Sequence, residues 1–332
     1  MGETTAFDEG LGSRPSVGAR MSDSAAFSTT HPIVGMEQLV GEVIEQLKAR
    51  GQQPELPTGL ERLDEVIWGL HRSEVCVIAA RPGEGKTTMA LQIAGHLADL
   101  HKRVLFISLE MNVHQIVERW LVQLTHTDAW QLRTGQEVPA FLEKLTSLNG
   151  YFKEINLRCI DDLGITAAEI TNILNEMAET QGAPDLVVID FIQLIEGDEE
   201  GMTDMEAIKR YFRCVKRLAK KHNLAVLICS QVNREGGKSS KSPPKLVHLK
   251  GSGSIEELAD CVLMLWWQEL GTEEDPQGTK YWVCVEKQRY GPPGQKVPIQ
   301  FDKEHLRFLA ADHQVADWSA GQNAASHDKV DV

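Results

Sequence analysis

Two hydrophobic rhythms alternate along this chain. Short, nearly continuous apolar runs that stop in polar residues occupy 75–80, 103–108, 157–160, 185–190, 224–229 and 261–267. Between and around them lie longer segments whose apolar residues recur at helical spacing, at 86–100, 113–124, 136–148, 166–180 and 203–222. Strands apolar on both faces belong in a parallel sheet covered on both sides, and their alternation with helices predicts an α/β fold with a mostly parallel, twisted sheet. Runs at 281–287, 296–301 and 306–309 add further strands, the last two as a closing hairpin. Thr58 and Glu61 have capping-box spacing and predict a short helix through Leu63 and Val66. Ahead of this core, Met36, Leu39, Val40, Val43, Ile44 and Leu47 form the apolar stripe of a helix over 36–50, which Gly51 ends. The stripe has to dock either on its own domain or on a neighbour's. Residues 1–35 and 311–332 lack periodicity and read as disordered tails.

In such sheets ligands bind outside the carboxyl ends of the strands. That rule gathers Ala80 to Thr87, Ser108 to Glu110, Asp190 and Gln231 at one edge. The run from Val75 passes through Ala80, Arg81, Pro82, Gly83, Glu84 and Gly85 into Lys86, Thr87 and Thr88. A strand, a glycine-rich loop and a helix start form a phosphate site. The helix start aims free N–H groups at an anion, and Gly83 and Gly85 let the backbone curl around it. Lys86 can reach the β- and γ-phosphates of ATP, and the Thr87 hydroxyl can ligate Mg²⁺. The motif is AxxxxGKT, with Ala80 where the usual pattern has glycine. Asp190 ends four apolar residues and is the strand-end carboxylate expected to hold the Mg²⁺ shell with Thr87. Glu110 ends the strand next in sequence, where a carboxylate can orient an attacking water or cap the following helix. Gln231 ends another strand and can sense a γ-phosphate or cap its own strand.

Charge changes the picture locally. The net charge of −14 rules out a surface that attracts nucleic acid everywhere. Within that acidic chain, residues 233–250 carry Arg234, Lys238, Lys241, Lys245 and Lys250 against the single acid Glu235. This run is the candidate contact for nucleic acid, its alternative being a solvated loop. Arg289 and Lys287 follow a late strand. The phosphate loop has no arginine obviously aimed at a γ-phosphate, because Arg81 sits where it would brace the loop. The six cysteines show no paired spacing and read as buried thiols of a reducing compartment. The eleven histidines have no metal-ligand spacing. No apolar run has the length of a membrane span, and no secretory signal opens the chain.

These residues together resemble the ATPase domain of DnaB-type replicative helicases, hexameric rings of the RecA-like class. The matching segments are 80–88 (ARPGEGKTT), 108–111 (SLEM), 133–135 (RTG), 188–194 (VIDFIQL), 230–234 (SQVNR), 251–260 (GSGSIEELAD) and 287–292 (KQRYGP). The resemblance covers roughly residues 56–310 and implies a RecA-like P-loop fold. It implies ATP-driven 5′–3′ translocation on single-stranded DNA through the centre of a homo-oligomeric ring, in DNA replication. It implies Glu110 as catalytic carboxylate, and Arg289 with Lys287 acting on a neighbour's ATP. It implies a linker helix, here within 36–55, docked on the adjacent subunit. It also implies that Lys250, Gly251 and Gly253 contact DNA phosphates. A helicase loader is a compatible partner, and the location would be the cytoplasm of a bacterial or phage-infected cell.

The departures are specific. Family members carry an N-terminal collar that contacts primase, whereas only short unpatterned sequence precedes the linker helix here, so primase contact is not carried over. The loop 196–206 (EGDEEGMTDME) is densely acidic, an unsuitable surface for DNA. Lys250 stands where the family often has Arg, which keeps phosphate binding without the bidentate fork, and Gly251 replaces an acid. Two rival readings remain. One is a collarless paralogue, a DNA-stimulated ATPase in recombination or regulation that does not unwind. The other is a regulatory ATPase switch that binds proteins and no DNA.

Overall fold

The computed structural model describes residues 35–49, 51–162, 164–192, 203–233, 243–249, 252–269, 279–311 and 316–317. The chain divides into two units, Met1–Arg50 and Gly51–Val332. In the first, α1 (Met36–Ala49) is helical with its whole apolar stripe exposed. The disorder expected for 1–34 falls outside the described residues, as does most of the expected C-terminal tail.

The second unit begins with α2 (Glu61–Ile67). Its sheet is made of β1 (Val75–Ala80), β2 (Val104–Ser108), β3 (Leu157–Asp161), β4 (Leu186–Asp190), β5 (Ala225–Gln231), β6 (Cys261–Glu269), β7 (Thr279–Gln288), β8 (Gln295–Asp302), β9 (Arg307–Ala310) and β10 (Ala316–Asp317). The strand order is β10-β8-β7-β6-β1-β5-β4-β2-β3, with β9 also on β8. From β3 to β6 every pairing is parallel. From β6 onward every pairing is antiparallel. The expected α/β parallel sheet is present, extended by an antiparallel flank.

The other helices are α3 (Lys86–Asp99), α4 (Val113–Thr125), α5 (Ala129–Arg133), α6 (Val138–Ser147), α7 (Tyr151–Glu154), α8 (Ala167–Thr180), α9 (Asp204–His222) and α10 (Ser252–Leu258). They cover both faces, as the doubly apolar strands require. Cys76, Ile78 and Ala80 of β1 point into one core with α2, α3 and α4. Val75, Val77 and Ala79 point into the other with α8, α9 and α10. This period of two buries β1 completely and fixes its register between β5 and β6.

Local signals were met unevenly. Capping boxes form at Asn112–Gln115, Thr166–Glu169 and Thr203–Glu206. The one expected at Thr58 does not form. Thr58 Oγ1 accepts from Leu60 N at 3.2 Å and Thr58 N donates to Asp64 Oδ1 at 2.8 Å, so the buried threonine makes a turn ahead of the helix. Gly253, expected in a loop, lies in the first turn of α10. Ile255 is fully buried on the α9 side, and that packing outweighs the poor helix propensity of glycine.

Candidate functional site

The strand-to-helix loop after β1 is shaped by its two glycines. Gly83 and Gly85 have φ of 80° and 90°, in the left-handed region that side chains avoid. A Cβ on Gly83 would meet nothing within 4 Å, so that backbone faces open space. A Cβ on Gly85 would come within 2.8 Å of Phe308 Cζ. Phe308 stacks on Phe301 at 4.5 Å between centroids, so the β8–β9 hairpin forms the seat of the loop. Glu84, at first sight an exposed loop acid, is buried. It accepts from Arg81 N at 3.0 Å and pairs with the Arg81 guanidinium at 3.5 Å. Burial pushes its carboxyl above the usual range, against those hydrogen bonds. Arg81 and Glu84 therefore brace the loop from inside, as expected for Arg81 and unanticipated for Glu84.

Lys86 opens α3 and turns back toward the sheet. Its side chain is only 12% exposed, with Nζ 3.4 Å from Asp190 Oδ1 and 3.5 Å from Glu110 Oε2. The ammonium also lies 4.4 Å from the centre of the Phe191 ring. Burial alone would lower its pKa, but the carboxylates of Asp190 and Glu110 outweigh that and hold it above the ordinary lysine value. The lysine is thus a largely buried neutralising charge rather than one projecting into open solvent.

Asp190 and Ser108 are register partners on β4 and β2, which places Asp190 beside the segment leading to Glu110. Asp190 is fully buried, and its Oδ2 has no hydrogen-bond partner among the described residues. An orphaned carboxylate oxygen at the strand end that faces the loop suits a hard cation such as Mg²⁺. Glu110 is half exposed, and Asn112 with Gln115 supplies the cap of α4, so Glu110 is not consumed by capping. Gln231 pairs with Ala80 across β5 and β1, at the same edge. The structure therefore brings Ala80 to Thr88, Glu110, Asp190 and Gln231 together.

Residues 55–310 match the family model of the DnaB-like helicase C-terminal domain. The chain belongs to that family. It is 31% identical over 269 residues to the replicative DNA helicase DnaB of Geobacillus stearothermophilus, covering 80% of this chain and 59% of that protein. It is 31% identical over 277 residues to the replicative DNA helicase DnaC of Bacillus subtilis, covering 82% and 61%. The chain thus spans about three fifths of the length of these relatives. A solved structure of a DnaB-like replicative helicase and its interactions with primase is 26% identical with a TM-score of 0.76, over 84% of this chain and 69% of that one. A solved ATPase domain also gives 0.76 at 25% identity, over 85% of this chain and 100% of that one. The fold of this DnaB-like domain is RecA-like.

The DnaB-like domain keeps Lys287 and Arg289 away from the loop. Both lie at the end of β7, which pairs with the beginning of β6 and so falls at the edge opposite Ala80. Lys287 Nζ donates to the carbonyls of Glu256 at 2.5 Å and Ala259 at 2.7 Å. Arg289 Nε lies 2.7 Å from Oδ1 of the buried Asp260. Of the DNA candidates, Lys245 is exposed and precedes a single 3₁₀ turn, Leu246–His248, and Gly253 is exposed on α10. Arg234, Lys238, Lys241, Lys250 and Gly251 lie outside the described residues, as do 196–202 of the acidic loop. Among the described residues no helix is long and apolar enough to cross a membrane, and no cluster of His, Cys, Asp and Glu could hold a metal on its own. All six cysteines are free thiols.

Proposed function

We propose that this DnaB-like domain is the ATP-hydrolysing motor unit of a ring-shaped helicase that moves along single-stranded DNA. One observation carries the reading: Lys86, Asp190 and Glu110 converge within 3.5 Å at the mouth of a braced glycine loop. Bound Mg²⁺ would neutralise phosphate charge, with Thr87 and the unpartnered oxygen of Asp190 holding it. The N–H groups of Gly83, Gly85 and Lys86 would cradle the phosphates, while that of Glu84 donates to the Arg81 carbonyl at 3.2 Å. Lys86 places its charge where negative charge grows on the transferring group. Glu110, exposed to solvent, orients the attacking water and accepts its proton. Gln231 stands at the neighbouring strand end to sense the γ-phosphate.

Arg289 belongs to the next site around the ring. From Val75 to Ala80, β1 alone separates the two edges by about 16 Å at roughly 3.3 Å per residue, more than an arginine side chain spans. A cis finger is thereby disfavoured, and assembly completes each site. The exposed stripe of α1 would bury itself on an adjacent subunit. Lys245, Lys250, Gly251, Gly253 and Arg234 would line the DNA path, with translocation 5′–3′ during replication in a bacterial or phage-infected cytoplasm.

ATP hydrolysis measured with and without a single-stranded oligonucleotide, alongside displacement of a labelled duplex strand, tests the proposal. DNA-stimulated hydrolysis with displacement is expected. Stimulation without displacement favours the non-unwinding paralogue, and hydrolysis indifferent to DNA favours the regulatory switch. In mixtures of Arg289→Ala with Glu110→Ala subunits, regained activity is expected. Co-assembly without regained activity would sink the trans finger.

A further inference from the structure

The edge of the sheet opposite the nucleotide loop carries a charged cluster that the ATP site does not use. Asp260 leads from α10 into β6 and is 2% exposed, where an ionised carboxylate needs close compensation. The Val75 backbone N–H donates to Oδ2 at 2.8 Å. Lys216 of α9 donates to the same oxygen. Arg289 Nε forms an ion pair with Oδ1 at 2.7 Å.

Arginine carries five N–H donors in a rigid planar fork. An arginine kept only for an ion pair with Asp260 would gain most by engaging both oxygens. Here Oδ2 is taken by Val75 and Lys216, which leaves Arg289 the Oδ1 side, with Nε as its nearest atom. The Arg289 side chain is 52% exposed, so its guanidinium is also open to a second anion. Lys287 steadies the same strand end by donating to the carbonyls of Glu256 and Ala259, which close α10 just before Asp260. Its ammonium is engaged within its own chain.

We infer that Asp260 is a positioning residue that aims the Arg289 fork at the terminal phosphate of a nucleotide held by the next copy of this chain, with Lys287 bracing the strand end rather than touching phosphate. The inference rests on the trans-finger reading above. Without Asp260 the long side chain samples many rotamers, and misplacement of a charge clamp by about 1 Å costs on the order of 10²-fold in rate.

The test compares ATP hydrolysis by the wild-type chain, Asp260→Asn, Arg289→Ala and the double variant, at saturating oligonucleotide. Asn retains an oxygen for the Val75 N–H. Asp260→Asn is expected to lower kcat by about 10- to 100-fold with KM for ATP and the assembled mass unchanged. The double variant is expected to be no slower than Arg289→Ala, because a residue that only aims the finger has nothing left to aim. If Arg289→Ala is inactive and Asp260→Asn turns over normally, the positioning role is overturned and the trans finger stands. If Asp260→Asn slows the Arg289→Ala background as much as the wild type, its role is structural and the inference fails. If Arg289→Ala turns over normally, the trans finger falls and this inference with it. Should Asp260→Asn fail to fold, the ¹H–¹⁵N spectrum of the wild-type chain decides. The Arg289 guanidinium resonances, assigned by their loss in Arg289→Lys, are expected to report restricted side-chain motion, and a freely rotating guanidinium would overturn the anchor.

Discussion

Replacing Lys86 by alanine tests the site through stability as well as turnover. Lys86 is 12% exposed and its partner Asp190 is 0% exposed, so solvent screens the pair little. Truncation leaves a buried carboxylate with one oxygen already unpartnered and the other stripped of its cation. Removing one member of a buried pair costs about 3–5 kcal/mol. At about 2–4 °C per kcal/mol for a domain of this class, the melting temperature falls by roughly 6–20 °C. The assay is nucleotide-free denaturant unfolding of the full chain, checked by thermal melts. Asp190→Asn in the Lys86→Ala background removes the stranded charge, so the two changes couple favourably by about 1–3 kcal/mol. Turnover stays abolished in both, because the Lys86 charge is gone. A Lys86→Ala protein within about 0.5 kcal/mol of wild type, a surface-like effect, would refute the buried-neutraliser argument. So would a double variant whose losses simply add.

Three further outcomes follow from particular contacts. Gly83→Ala should cost about 1–2 kcal/mol for its left-handed backbone alone, whereas Gly85→Ala adds a 2.8 Å clash with Phe308 and should cost about 1–3 kcal/mol more; equal unfolding midpoints would remove the aromatic seat from the argument. Burial raises the carboxyl of Asp185, but hydrogen bonds from Arg72 and Arg103 N more than offset it, so its folded pKa is lowered and its stabilisation is present above the unfolded value and lost as pH falls through the folded one. Arg72→Ala should therefore lower the melting temperature more at pH 7 than at about pH 3, and a gap independent of pH would contradict this. Lys245→Ala should weaken single-stranded DNA binding and reduce the log–log salt slope by about one, while an unchanged slope moves the DNA path away from this segment.

The sequence revealed the parts of the site that repeat a local rule. The buried strand, the glycine loop and the helix start at Lys86 are one continuous segment, and Asp190 follows the rule that ligands sit at strand ends. Residues whose role depends on a distant partner stayed invisible. Nothing near Gly85 announces that Phe308 and Phe301 will sit beneath it, since that contact is made by the hairpin at the far end of the chain. Glu84 reads as an exposed loop acid until its burial against Arg81 is seen. The capping spacing at Thr58 was outcompeted by Asp64, six residues on. The antiparallel flank was only half legible, because apolar runs such as 261–267 and 281–287 do not encode their direction.

The two ends of β1 tie these observations to the assembly. At Ala80 the strand delivers the loop that cradles phosphate, and at Val75 its first N–H is held by the same buried Asp260 that grips Arg289. All six residues of the strand are buried and locked in parallel register by β5 and β6. A strand pinned on both sides is stiff, so the nucleotide loop and the finger seat of one subunit move as a single body. In the proposed ring, that body would contribute its loop to one ATP site and its finger to the next. A change in which sites are closed then has to appear as relative rotation of whole subunits rather than as bending within one. Under this proposal a substitution that loosens β1, such as Val77→Ala in the core, should cost stability through its cavity, about 2–4 kcal/mol. It should also blunt the dependence of hydrolysis on ATP occupancy of neighbouring sites. Unchanged cooperativity in a folded Val77→Ala ring would separate the two edges and assign the coupling to another element.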